Sequence, residues 1–355
     1  MPVIFWKILW TLGIATAVFI LLVSGFLGFL MLTEFSPSAS STPEVGGNGK
    51  PFDPSKREFT FFSWNIGYAG LGREMDFFYD GGKTAIPDRI DCNRYFEGIK
   101  SQVKASDTAD FIFIQEIDLH AKRSWYKDEL AGLAGMLPAF STVFATNYDC
   151  RFVPMPLREP MGRVVSGIAT WSQFKPVKAK VQYYDAFFPW PKRLVLLKRC
   201  LIMLRFGLDN GKELVVVNTH NSAFDSTGAL RKRELEILDS VMTSEYEKGN
   251  YVIGGGDWNS NPRGFNASSV ISGDRVTDVQ PPVDPGFLPR WEFAYDPGHP
   301  SNRNVDMPYQ KGVTKTTIID FFVVSPNVEV KQVATIPMGF ACSDHEPVVM
   351  RVRLK

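Results

Sequence analysis

Net charge is nearly absent from this chain: the formal charge is +1 over 355 residues and the isoelectric point is near 7.6. No global basic field would therefore draw the protein onto nucleic acid, and any such attraction must come from local cations. Cysteine is scarce, at four residues (Cys92, Cys150, Cys200 and Cys342), and no C-x-x-C or Cys/His cluster marks a zinc site. In an oxidising compartment these four allow two disulfides; the alternative is four buried, unpaired thiols. There is no short-period repeat, which argues against a solenoid.

Charge is also missing locally. From Ile8 to Leu32 the chain is apolar without one ionisable residue, flanked by Lys7 and Glu34. That is long enough to cross a bilayer, which takes about 20 residues. A cleaved signal peptide competes, because Ser38 and Ser40 flank Ala39 in a small-x-small pattern, but signal cores run only to about 7 to 15 apolar residues. Residues 1–33 are thus expected to form an uncleaved anchor, with the amino terminus cytoplasmic and the remainder outside the cytoplasm, although Lys50, Lys56 and Arg57 lie a short way beyond the far side. Residues 34–57, dense in Ser, Pro and Gly, read as a flexible tether. Globular patterning begins at Glu58 and continues without a second linker, so 58–355 is expected to be one catalytic domain.

Within that domain, short apolar runs end on polar residues. FTFFSWN ends at Asn65, FIFIQE at Glu116, ELVVVNTH at His220, YVIGGGDWN at Asp257 and Asn259, and TTIID at Asp320, while SDHEPVVMRV carries Asp344 and His345. Their length and their content of Val, Ile, Phe and Thr predict strands. Asn218 with His220, and Asp257 with Asn259, are two apart and share a face of an extended chain, so each pair is expected to converge on one ligand. A helix is predicted over Leu230 to Tyr246, with Leu235, Leu238 and Met242 on its apolar stripe and Arg231 to Arg233 on a solvated face. Strands interleaved with helices give an α/β sandwich.

Carboxylates, amides and histidines are the groups that phosphoester hydrolysis needs: a cation for charge on phosphate oxygens, a group to orient or deprotonate water, and donors for the leaving side. Oxygen ligands suit Mg²⁺, with Mn²⁺ as substitute; Glu116 is the natural ligand, with Asn65 close by. His220 and His345 are two of only four histidines, and Asp320 is placed to orient His345.

These motifs in this order resemble the endonuclease/exonuclease/phosphatase superfamily, over Phe59 to Leu354. The resemblance implies a four-layer α/β sandwich with the site at the sheet ends. It implies that Glu116 binds Mg²⁺ helped by Asn65, that Asp257 orients or deprotonates water and that Asn259 positions it. His220 and His345 would hydrogen-bond the phosphate, Asp320 would polarise His345, and Asp344 would bind metal or water. One departure stands out: Asn65 is followed by Ile66-Gly67, where several nucleases of the family carry an acidic residue, so the metal site has one carboxylate fewer.

Loops must choose the substrate. Gly67 to Lys83 is glycine-rich but lacks P-loop spacing and reads as a structured surface loop. Arg123, Asn147 and Tyr148 are candidate substrate contacts, as is Arg303 in the 281–311 loop. Tyr183 to Arg193 concentrates aromatics before a basic pair, which if exposed suits a lipid interface or stacked bases. The expectation is a metal-dependent phosphodiesterase cleaving nucleic acid outside the cytoplasm. The alternative is hydrolysis of phospholipid or inositol-phosphate head groups at the membrane, and a non-catalytic binding protein comes third. No protein partner is indicated.

Overall fold

Strand alternation sets the layers. The computed structural model describes residues 2–355 other than 224, 226, 271, 278 and 279. Elements are numbered in chain order. One sheet runs β16 (Val328–Thr335), β17 (Val348–Leu354), β3 (Glu58–Asn65), β4 (Phe111–Asp118), β6 (Gly162–Ser172), β5 (Ser141–Val153) and β2 (Gly46–Gly47). The second runs β1 (Ser40–Ser41), β7 (Lys178–Tyr183), β8 (Cys200–Gly207), β9 (Glu213–His220), β10 (Tyr251–Asp257), β15 (Asp320–Val324) and β12 (Glu292–Ala294). A small third sheet joins β11 (Arg275–Val276), β14 (Lys315–Thr317) and β13 (Asn302–Arg303).

In β3, Phe59 and Phe61 face the second sheet, packing with Phe111, Phe113, Phe206 and Phe322, while Phe62 and Trp64 face outward onto the helices α2 (Arg89–Ala105) and α3 (Glu129–Met136). The second sheet does the same: Val216 and Ile253 point inward, and Val215, Val217 and Val252 meet Leu235, Leu238 and Met242 of α4 (Ala229–Glu247). Strands buried on both faces explain why the sequence shows continuous apolar runs and not alternation. The result is the four-layer α/β sandwich, helix–sheet–sheet–helix.

Topology delivers the polar ends to one place. β3 is parallel to β4, and β9 to β10, so Asn65, Glu116, His220 and Asp257 emerge together. β15 and β17 run back antiparallel, pairing Asp257 with Asp320 and Ser63 with Val348, which returns Asp320 and His345 to the same end. Close approach at β10 requires its glycines: a Cβ on Gly255 would lie 2.3 Å from the Phe322 ring, and one on Gly256 (φ +140) would lie 1.9 Å from the Thr219 carbonyl.

Three expectations change. Residues 34–57 are not a free tether: β1 extends one sheet against β7, β2 extends the other against β5, and Phe52 packs with Phe59, Phe174 and Phe206. Composition conceals this because one aromatic and two strand pairs fix an otherwise polar stretch. The 67–83 segment is not a surface loop throughout, since Tyr68, Leu71, Met75 and Phe77 build a core of their own with Tyr148, Val153 and Met161. Arg231 is not on a solvated face; it is buried and donates to the carbonyls of Ser222 and Asp225. All four cysteines are free and buried, as in the second of the two expectations. The first helix, α1 (Pro2–Leu32), is long and apolar enough to cross a membrane, a test a signal sequence also passes.

Candidate active site

Asp257 is the hub. Its Oδ2 accepts the Asn65 amide at 2.9 Å and lies 3.3 Å from His220 Nε2 and 3.7 Å from His345 Nε2, while its Oδ1 accepts the Asn259 backbone N–H at 2.9 Å. Burial pushes its pKa up to about 6 against the opposing charge of His345, with Asp320 adding to the rise. Asn259, in the left-handed region at φ 48, donates its side-chain amide to the Asn221 carbonyl at 2.9 Å.

Burial opposes a charge on His345, but the carboxylates of Asp320, Asp344 and Asp257 outweigh it and hold the imidazole protonated well above its usual pKa. Its Nδ1 donates to Asp320 Oδ2 at 2.8 Å, and Ser301 Oγ donates to the same oxygen at 2.8 Å. Trp64 Nε1 fixes the His345 carbonyl at 2.8 Å. His220 goes the other way: burial, with the positive charges of Arg199 and His345, lowers its pKa well below the ordinary value. Its Nε2 is 3.8 Å from Glu116 Oε1. The two histidines thus take opposite charge states in one site.

Glu116 sits at φ 54, where the β4–β6 register shifts between Ile114 and Ile117. Such backbone costs of order 1–3 kcal/mol and persists where the surroundings enforce it; here it turns Glu116 out of the ladder. Asp344 is buried, and its pKa rises to about 7 through burial, opposed by His345 and reinforced by Glu116. Close by, the Tyr68 hydroxyl is buried without a partner and lies in the field of both carboxylates. Two neighbouring carboxylates, Glu116 and Asp344, beside an orphaned hydroxyl fit a hydrated divalent cation, which takes one or two carboxylates and keeps several waters. The donor atoms of Asp257, Asp320 and His345 also lie within 4.8 Å of one another. That trio suits a cation poorly, because His345 commits Nδ1 to Asp320 and stays protonated.

A model of the Endonuclease/Exonuclease/phosphatase family matches residues 62–345. The chain belongs to that family. Its members are phosphoester hydrolases, and the motifs quoted from the sequence are the ones that meet in this site. Among solved structures it is similar to an endonuclease/exonuclease/phosphatase from Beutenbergia cavernae (18% identity, 84% of this chain and 72% of that one, TM-score 0.57). It is also similar to the human Nocturnin catalytic domain with bound sulfate (13% identity, 86% and 96%, TM-score 0.53) and to ANGEL2, described as a 2',3'-cyclic phosphatase (15% identity, 88% and 98%, TM-score 0.53). At these identities the likeness carries the fold alone. No curated protein sequence matches the chain.

The eight strand-end residues Asn65, Glu116, His220, Asp257, Asn259, Asp320, Asp344 and His345 gather as the family motifs imply. Three of the four substrate-contact candidates, Arg123, Arg303 and Tyr148, are committed to partners within the domain. Arg123 is buried, donates two hydrogen bonds to Asp118 at 2.9 and 3.1 Å, and stacks on the Tyr68 ring at 3.7 Å. Arg303 is buried and donates to the carbonyls of Leu71, Gly72, Met75, Asn304 and Met307, pinning the loop after Asn65. Tyr148 gives its hydroxyl to the Val195 carbonyl at 2.7 Å. Asn147 differs: it is buried, and its side-chain amide nitrogen has no hydrogen-bond partner among the described residues. Nor do Asn218 and His220 share a ligand: Asn218 lies between the sheets, bonded to Gln115 and the Ala169 carbonyl. Same-face alternation put both side chains inward, and only the terminal one clears the sheet.

Sequence reasoning missed Ser301, which holds Asp320, and Asn302, whose amide is 3.1 Å from His345 Nε2. It also missed Asn221 and Tyr68. Of these only Tyr68 had a signal, its place three residues after Asn65.

Proposed function

We propose that this protein is a divalent-metal-dependent phosphodiester hydrolase. The observation that carries the reading is Asp257, a carboxylate held by an amide and a backbone N–H with one neutral and one protonated histidine beside it. With a pKa near 6, Asp257 is ionised at neutral pH and basic enough to take a proton from water. As the water oxygen bonds to phosphorus and the ester P–O bond breaks, that proton passes to Asp257. Neutral His220 and cationic His345 donate to the phosphate oxygens, Asp320 keeps His345 oriented, and Asn259 positions the water. Glu116 and Asp344, with Asn65, would hold Mg²⁺ or Mn²⁺. When bound, that ion supplies Lewis-acid neutralisation of charge on the phosphate.

Nucleic acid was the first substrate expected from the sequence and a lipid head group the second. Binding a polynucleotide draws on cations that track its phosphates, and both arginines offered for this, Arg123 and Arg303, are consumed inside the domain. This favours the head-group phosphodiester, at a membrane crossed by α1, with the domain outside the cytoplasm. The test is hydrolysis of bis(4-nitrophenyl) phosphate by the full chain with Mg²⁺ or Mn²⁺, followed by DNA, RNA and phospholipid. Turnover that survives chelation, or that survives both Asp257→Asn and His345→Ala, would remove the reading.

A further inference from the structure

The end of α1 meets the domain at the active-site end of the sheets. β1, which follows α1, pairs with Val181 and Gln182 near the C-terminus of β7, and Tyr183 pairs with Cys200 at the start of β8. Leu201, the second residue of β8, pairs with Thr219, one residue before His220. Both long connections at this end, 154–161 between β5 and β6 and 184–199 between β7 and β8, therefore flank the site. Both also lie close to α1 or its exit: Phe26 packs edge-on against Phe152, at the end of β5 just before the first connection, with ring centroids 6.2 Å apart, and in the second Lys198 and Arg193 pair with Glu34 at 2.8 Å and 3.5 Å.

These connections and the end of β5 before them expose apolar side chains that the domain does not cover: Phe152, Met155, Leu157, Phe187 and Trp190, with Leu157 80% exposed. Arg151, Arg158 and Lys192 stand exposed among them, with Glu159 as an acidic neighbour. Large aromatics and aliphatics rimmed by cations suit the head-group zone of a bilayer. The helix supplies the depth. Its 31 residues make it about 46 Å long at 1.5 Å per residue, against about 30 Å of hydrocarbon. Its last turns then lie among head groups, and that is where Phe26 meets Phe152.

The geometry points to a membrane-docked active-site rim: the 152–158 and 187–192 segments rest on the leaflet from which α1 emerges, and the site receives its phosphodiester from lipids in that leaflet. This rests on the hydrolase reading and on α1 being retained as a span. It differs from simple tethering, in which the domain would float free of the surface.

The four native cysteines are buried, so a single added thiol can be labelled in the full chain. In nanodiscs of phosphatidylcholine and phosphatidylglycerol, an environment-sensitive fluorophore on Leu157→Cys or Trp190→Cys should be quenched by lipids carrying a nitroxide high on the acyl chain. The same label on Val177→Cys, exposed at the opposite end of the sheets, should not be. A second measurement uses Leu157→Glu with Trp190→Glu: turnover of phospholipid in the disc should fall about tenfold or more, with turnover of soluble bis(4-nitrophenyl) phosphate unchanged. Equal quenching at all three positions, cross-linking of Leu157→Cys between copies without quenching, or undiminished lipid turnover would overturn the docking. DNA cleavage with no lipid turnover would overturn the lipid source while leaving the hydrolase reading intact. No turnover of the soluble diester by the wild type would overturn the hydrolase reading, and the quenching result would still decide the docking.

Discussion

Asp320 accepts a hydrogen bond from His345 Nδ1 at 2.8 Å, although Asp320 opens β15 of one sheet and His345 lies just ahead of β17 of the other. The contact joins the layers at the site and sets the charge of the imidazole. Asp320→Asn keeps the shape and removes the charge that favours protonation. Turnover should drop about 10²- to 10³-fold, the scale of a positioned acid or base. His345 must be protonated to donate, so activity is lost as pH rises through its pKa; the variant lowers that pKa and moves the alkaline limb of kcat/KM to lower pH. A limb that stays in place would show that Asp320 only orients the ring.

The strand ends were legible because their side chains are short of alternatives: a polar residue that closes a doubly buried apolar run has nowhere to go but the sheet end. Arg123 and Arg303 were misread for the same physical reason in reverse. An arginine in a loop looks solvent-facing, and nothing local shows that Asp118 or three loop carbonyls will claim it from inside. Ser301 and Asn302 carry no local signal, since they matter only through a strand pairing made elsewhere in the chain.

Asn65 donates to Asp257 and so favours its ionised form. The carboxylate must be ionised to accept a proton, so activity falls as pH drops through about 6. Asn65→Ala removes the donor, which raises the Asp257 pKa and moves the acid limb upward. Near neutral pH the loss should be about tenfold and should recover partly at higher pH, as a pH profile of kcat/KM would show.

Metal binding is expected to stabilise the fold as well as serve the reaction. With Mg²⁺ at about 100 times its Kd, the gain is about 2.7 kcal/mol, visible as a raised unfolding temperature that chelation reverses. Glu116→Gln should abolish that rise. A rise that persists would place the ion elsewhere.

Arg123 should behave as a structural residue. Arg123→Met leaves the Asp118 carboxylate buried without its cation, beside Glu129, whose carboxylate accepts from Asp118 N at 2.8 Å. Breaking a buried pair costs about 3–5 kcal/mol. Denaturant unfolding should show that loss, and the folded fraction should keep its KM. A raised KM at unchanged stability would return Arg123 to the substrate.

Stability should also fall with rising pH through Glu234. This buried side chain of α4 accepts from Ser222 N at 2.8 Å, and burial pushes its pKa up to about 7 from 4.5. The folded chain therefore holds a proton that the unfolded chain releases. The sign follows: the contribution is complete below about pH 4.5 and is lost as pH rises to about 7, amounting to about 3 kcal/mol at most. Asp257 and Asp344 titrate in the same interval, so the wild-type curve alone cannot isolate it. Glu234→Gln keeps an acceptor for Ser222 N and cannot ionise. The difference in unfolding free energy between wild type and variant should therefore change with pH over that window, with the variant gaining on the wild type as pH rises. A constant difference across the window would mean that Glu234 is ionised in the folded protein throughout, with its charge carried by Ser222 and Arg199.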